Sequence, residues 1–174
     1  MKKILIVVDM QKDFVDGALG TKEAVAIVPN VLRKIESFEG DIIVTYDTHG
    51  ENYMETQEGK KLPVPHCIKG TDGWQLDENV QAALKGRNYV AFEKPTFGSV
   101  GLTAYLKNNY DVTGLDIELC GLCTDICVVS NALLLKAHFI NAKISVDSFC
   151  CAGVTPESHD AALLTMKMCQ IDIK

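Results

Sequence analysis

The stretch KKILIVVDMQ, residues 2–11, holds five consecutive apolar residues, Ile4 to Val8, closed by Asp9. A half-exposed strand alternates apolar and polar side chains. An unbroken run of this length predicts a strand covered on both faces, as in a parallel sheet. The run is too short for a signal-peptide core or a membrane span. Four more short segments rich in β-branched residues follow: DIIVTYD (41–47), NYVAFEK (88–94), DIELCGL (116–122) and KISVDSF (143–149).

Helical spacing lies between them. Val31, Leu32, Ile35 and Phe38 form one set, with Pro29 expected in its first turn. Leu102, Tyr105 and Leu106 form a second. From Val128 to Leu135 the chain is apolar on most sides, which predicts a largely buried helix. A last helix carries Ala161, Leu164, Thr165 and Met168, and Thr155, Pro156 and Glu157 fit its cap and first turn. Alternating strands and helices predict an α/β fold: a three-layer sandwich with a central parallel β-sheet flanked by helices, one domain over residues 1–174.

Composition narrows the function classes. The chain has 174 residues, 47% hydrophobic and 23% charged, with a net charge of -6. No basic stripe exists to track a phosphate backbone, so a nucleic-acid partner is not expected, and neither is a membrane. Without an export signal, the seven cysteines are expected to be thiols in a reducing cytoplasm, and their odd number argues against a complete disulfide framework.

In open parallel sheets ligands sit at the carboxyl ends of the strands. Asp9 ends the first predicted strand, Asp47 the second and Lys94 the third. The fourth runs into CGLCTDICV, residues 120–128. Singly, each has an ordinary explanation: a capping Asp, a solvated Lys, an inert buried Cys. The spacing of Cys120, Cys123 and Cys127 alone permits metal ligands, a redox pair, or a buried set with one reactive member. Convergence on one rim favours acyl transfer. A thiol, a lysine that favours its anion, a carboxylate for its proton and turn amides at Gly121–Cys123 make a complete set. Cys127, at a helix start beside Lys94, is expected to be mostly thiolate, which needs its pKa lowered by about two units. Residues 47–74 show little periodicity and are longer than most loops in compact domains. They hold Asp47, His49, Glu51, Glu55, Glu58, His66 and Cys67.

Three segments in order, VVDMQKDFVDG (7–17), FEKPTFG (92–98) and CGLCTDICV (120–128), resemble the isochorismatase-like cysteine hydrolases, and within them the nicotinamidase-related amidases. The resemblance spans essentially the whole chain. It implies a Rossmann-like, isochorismatase-like fold and a catalytic triad of Asp9, Lys94 and Cys127. It implies a cis peptide between Leu122 and Cys123, and an oxyanion hole from the Cys123 and Cys127 amides. The reaction implied is attack on a small carboxamide, with nicotinamide the first guess, loss of ammonia through a thioester, then hydrolysis. Cys120 is then core, and Cys123 serves through its backbone.

The resemblance also implies a divalent metal (Zn, Mn or Fe) on Asp47, His49 and His66, and no organic cofactor. The fourth ligand is Glu55 or Glu58, with Glu58 favoured because it sits nearer His66. Phe14, Phe97 and Leu122 are the expected substrate-binding residues, with Trp74 as a further aromatic wall. Pro63 stands where many nicotinamidases carry a Trp, which weakens nicotinamide as the substrate. A small-molecule partner and a homodimer or homotetramer are implied. Other readings of the resemblance are an isochorismatase-type vinyl ether hydrolase and a non-catalytic small-ligand or metal-binding protein.

Overall fold

Lys2–Val8 forms strand β1 near the middle of a six-stranded sheet in a computed structural model that describes residues 1–174. The helices and strands that follow are α1 (Lys12–Val15), α2 (Lys22–Ser37), β2 (Asp41–Asp47), α3 (Gln57–Lys61), α4 (Glu78–Leu84) and β3 (Tyr89–Lys94). Then come α5 (Val100–Asn109), β4 (Leu115–Leu122), α6 (Val129–His138), β5 (Lys143–Ala152), α7 (Pro156–Met168) and β6 (Asp172–Ile173). The spatial order is β3-β2-β1-β4-β5-β6, and every neighbouring pair is parallel. β6 was not legible: two residues carry no period.

The continuous apolar run of β1 is buried on both faces, with Ile4 to Val8 all at 0% exposure. Ile4, Ile6 and Val8 pack toward Leu102 and Leu106 of α5, Ala132 and Leu135 of α6 and Met166 of α7. Leu5 and Val7 pack toward Phe14 of α1, Val31 and Ile35 of α2 and Val80 of α4. The period-two alternation of a strand thus divides one apolar segment between two helical layers. Cys151 and Cys150 divide likewise between the same two layers. No helix is long and apolar enough to cross a membrane.

Two expectations need correction. Helix α2 starts after Thr21, whose hydroxyl accepts from the Ala24 amide, so Pro29 lies in its interior rather than its first turn. Ala24, Ile27 and Val28 extend the same apolar stripe backward and hold the helix on the sheet through the proline. The carbonyl that Pro29 leaves without a partner belongs to Val25, which is 48% exposed, where water can satisfy it. Residues 47–74 are also not structureless. They contain a 3₁₀ turn at Tyr53–Glu55, helix α3 capped by the Thr56 hydroxyl on Gly59 N–H, and a bridge between His49 and Ile68. These pieces are too short to register as periodicity.

The chain winds from β1 outward to β2 and β3 on one side, and to β4, β5 and β6 on the other. The switch in direction falls between β1 and β4, which places a crevice at their carboxyl ends. Gly121 sits there, opposite Val8. Its φ is +116°, and a Cβ at this position would lie 2.1 Å from the Val8 carbonyl oxygen.

Candidate active site

Three strand ends and one helix start meet at this crevice. Asp9 leaves β1 with φ +46°, an uncommon conformation for a residue with a side chain. Its amide donates to the Thr45 carbonyl at 3.2 Å, and the Thr45 hydroxyl donates to its Oδ1 at 2.6 Å. Lys94 ends β3, and its Nζ lies 2.6 Å from Asp9 Oδ2, 3.3 Å from Cys127 Sγ and 3.5 Å from Asp47 Oδ1. Asp9, Lys94 and Cys127 are 0%, 1% and 3% exposed. The lysine ammonium is the charge partner of Asp9 Oδ2, and the carboxyl also faces the Cys127 thiol.

Burial sets the protonation of this group. It raises the Asp9 pKa against the pull of Lys94. For Lys94 burial acts the other way, but the facing Asp9, Cys127 and Asp47 outweigh it, so the ammonium persists far into the alkaline range. The expectation of a resting thiolate is corrected. Burial, reinforced by Asp9 and only partly offset by Lys94, pushes the Cys127 thiol well above its ordinary value. The approach of Lys94 does not compensate for removing a sulfur anion from water.

The turn that carries Cys127 begins with a cis peptide between Leu122 and Cys123. Thr124–Val128 then forms one wide π turn before α6, with both Ile126 and Val128 amides donating to the Cys123 carbonyl. The Cys123 amide itself has no acceptor within the protein. Its thiol is pushed up to about 12, again first by burial. Asn131 was missed by sequence reasoning. Its Nδ2 donates to the carbonyls of Cys127 (2.8 Å) and Phe97 (3.1 Å), and its Oδ1 accepts from Ser99 N–H at 2.9 Å. This buried amide fastens the turn that carries Cys127 to the segment that follows Lys94.

Beside these groups Asp47, His49, Glu58 and His66 place one ligand atom each within 4.8 Å of one another. His49 Nε2 is 2.9 Å and His66 Nε2 3.4 Å from Asp47 Oδ2, and both approach Glu58 Oε1, at 3.8 and 3.9 Å. His66 donates Nδ1–H to the Val64 carbonyl at 2.8 Å, which leaves Nε2 free to ligate. Although burial raises the Asp47 pKa, hydrogen bonds from His49 and His66 hold its carboxyl well below the usual carboxylate range. Two carboxylates and two imidazoles converging in this way fit a divalent metal ion. Glu55 is outside the set.

Gln11 was also missed. It is fully buried, and its amide completes the end of β2 as a rung would. Oε1 accepts from Asp47 N–H at 2.7 Å, while Nε2 donates to the carbonyls of Asp47 (2.9 Å) and Trp74 (2.8 Å). The expected result for Gln11→Leu is a fall in metal affinity of about 10-fold or more, as for other residues that orient a ligand. Titration of metal-free protein against a competing chelator checks it. Unchanged affinity would show that Asp47 holds its position without the clamp.

A cleft of about 700 Å³ opens beside the site, and His49, Glu58, Lys61, Phe97, Ile126 and Ser130 contribute to its lining. Phe97 lies where expected. Phe14 does not line this cleft; it packs on the His66 ring, centroids 5.5 Å apart. Leu122 is at 0% exposure within the apolar layer and is corrected from a substrate contact to core. Trp74 packs on Tyr46 and donates its indole N–H to the Thr48 hydroxyl, so it buttresses the strand end instead of forming a wall of the cleft.

Fold and site together define an α/β protein of the isochorismatase-like class. The chain belongs to the isochorismatase family: the family model described as "Isochorismatase domain" matches residues 3–173. It is similar to the "Uncharacterized isochorismatase family protein PncA" of Bacillus subtilis, at 30% identity, with 94% of this chain and 93% of that protein covered. Among solved structures it is similar to the nicotinamidase/pyrazinamidase PncA of Bacillus subtilis, at 26% identity and a TM-score of 0.86, with 99% of each chain covered. The pyrazinamidase of Pyrococcus horikoshii, solved in complex with zinc, has 27% identity and a TM-score of 0.80, over 100% of this chain and 99% of that one.

Proposed function

We propose that this protein is a thiol-dependent amidohydrolase that releases ammonia from a small carboxamide, with nicotinamide the first substrate to try. The names of its relatives support the reaction class: they include a nicotinamidase of Schizosaccharomyces pombe and a nicotinamidase/pyrazinamidase of Mycobacterium tuberculosis. The observation that carries the mechanism is the contact of one ammonium, Lys94, with both Asp9 and the Cys127 sulfur, next to Pro95 and Ile126 in the cleft lining.

Attack begins from the thiol. As Cys127 Sγ bonds to the amide carbon, its proton passes to Asp9, whose raised pKa suits it to hold that proton briefly. Lys94 stabilises the sulfur anion as it develops and fixes the carboxylate. The free N–H of Cys123, with that of Cys127, receives the carbonyl oxygen as it gains charge. Asp9 returns the proton to the leaving nitrogen, the C–N bond breaks, and ammonia departs from a thioester on Cys127. Water, deprotonated by Asp9, then splits the thioester to the carboxylic acid and the thiol. A divalent ion on Asp47, His49, His66 and Glu58 would supply a Lewis acid for a substrate ring nitrogen and an activated water. The zinc of the Pyrococcus structure makes zinc the first metal to try.

The test is ammonia release by the metal-loaded wild type, with mass spectrometry of acid-quenched samples. An acyl mass increment on the peptide that contains Cys127 is expected. Turnover without any acyl-protein, while hydrolysis of the adduct is slowed by lowered pH, would contradict the thioester route.

A further inference from the structure

Asn131 holds the turn that carries Cys127 to the segment after Lys94. On the β5 side the same turn meets the start of α7. β5 runs beside the end of β4, with Cys151 opposite Gly121 and Ala152 opposite Leu122, and then leads into α7. Two adjacent residues of the turn are fixed there. The Thr124 hydroxyl and His159 Nδ1 lie 2.8 Å apart. The Val154 N–H donates to the Asp125 carboxylate, 3.2 and 3.3 Å from its two oxygens.

Ordinary packing does not account for His159. Its ring borders a cavity of about 270 Å³, so it does not serve to fill an apolar layer. Gly153 makes room for it: a Cβ there would stand 2.8 Å from the His159 nitrogen and 2.9 Å from its Cα and Cβ. Thr124 is at 0% exposure, where a hydroxyl needs a partner. The residues one turn before it belong to β4, so no helical carbonyl is within its reach, and His159 takes that place. A hydroxyl can donate or accept, so the bond forms with either tautomer of the ring. Thr124 directly follows Cys123, whose amide is free, and stands one turn before Cys127.

Resting on the amidohydrolase reading, we infer that His159 is a positioning residue for the reaction. Through the Thr124 hydroxyl it fixes the Cys123 and Cys127 amides and the Cys127 sulfur relative to one another. Misplacing reacting groups by about 1 Å can cost ~100-fold in rate, so this brace acts on kcat more than on KM.

The experiment compares metal-loaded wild type with Thr124→Val, Thr124→Ser, His159→Leu, His159→Asn and the double variant Thr124→Val/His159→Leu. It reads ammonia release from nicotinamide and pyrazinamide, alkylation of Cys127 by iodoacetamide, and thermal melting. Thr124→Val and His159→Leu should each lower kcat by about 10-fold or more, with KM within about 3-fold and the melt within about 5 °C of wild type. Both act through one bond, so the double variant should be no slower than about the slower single. Serine keeps the hydroxyl, and asparagine can set its amide nitrogen near the place of Nδ1, so both should recover most of the rate. Loosening the turn brings the Cys127 sulfur nearer to solvent, so its alkylation should speed up about 5-fold or more in the Val and Leu variants. Losses that multiply in the double variant, or His159→Asn as slow as His159→Leu, would overturn the role of His159. Unchanged kcat and alkylation in both single variants would do the same. No ammonia from either amide in the wild type, with alkylation still following Thr124 and His159 in this pattern, would count against the amidohydrolase reading and in favour of the brace.

Discussion

Cys127→Ala is expected to abolish ammonia release, lowering kcat by about 10⁴-fold or more, while the variant stays folded. The size follows from the loss of the atom that forms the acyl intermediate in the proposed mechanism; groups that act as a catalytic unit each cost factors of this order. The fold survives because the change removes one sulfur from a residue in a well-populated apolar layer, with Val128, Ala132 and Leu135 around it. A truncation that small costs on the order of 1 kcal/mol. Kinetics and a thermal melt of the same preparation check both halves. Asp9→Asn separates the roles: it keeps the thiol but removes the proton acceptor, so activity should fall without loss of the sulfur. Residual turnover in Cys127→Ala within 10-fold of wild type would end the thiol mechanism.

Gly121→Ala is expected to prevent the native fold or to lower the melting temperature by more than about 10 °C. The new methyl would stand 2.1 Å from the Val8 carbonyl oxygen and 2.8 Å from the Val8 nitrogen. Those are backbone atoms of a neighbouring central strand, so neither can turn aside as a side chain would. The φ of +116° adds strain for any residue with a Cβ. Together these place the cost at about 4 kcal/mol or more, a large part of the ~5–15 kcal/mol that holds a domain together. Gly114→Ala is the control, because a Cβ there meets nothing within 4 Å. Soluble yield and thermal unfolding of the two variants decide it. A wild-type melt for Gly121→Ala would mean that β1 and β4 can separate at this rung without cost.

What the sequence conveyed and what it withheld follow from how far each signal reaches along the chain. The ILIVVD run, at residues 4–9, dictates a strand buried on both sides, because no other short element needs that pattern. Strand-end polar residues were equally legible, and they led to Asp9, Asp47 and Lys94. Pro29 misled because proline favours first turns, although Ala24, Ile27 and Val28 already carried the helical stripe upstream of it. Glu58 and Glu55 could be ranked only by distance along the chain; the short helix α3 turns Glu58 toward the histidines. Gln11 and Asn131 gave no signal, since each acts by pairing its amide with backbone that only the folded chain brings near. The protonation of Cys127 was read with the wrong sign. Neighbouring charge is visible in a sequence, but depth of burial is a property of the whole packed molecule, and here depth wins.

That depth has a bearing on survival in the cell. Peroxides, disulfides and alkylating electrophiles attack thiolates far faster than thiols. In the proposed mechanism Cys127, 3% exposed and with its thiol pushed up by burial, becomes a nucleophile only when an acyl donor is bound and the proton moves to Asp9. Cys169, at the end of α7, is the one exposed cysteine of the seven, so it is the thiol that such reagents can reach without entering the fold.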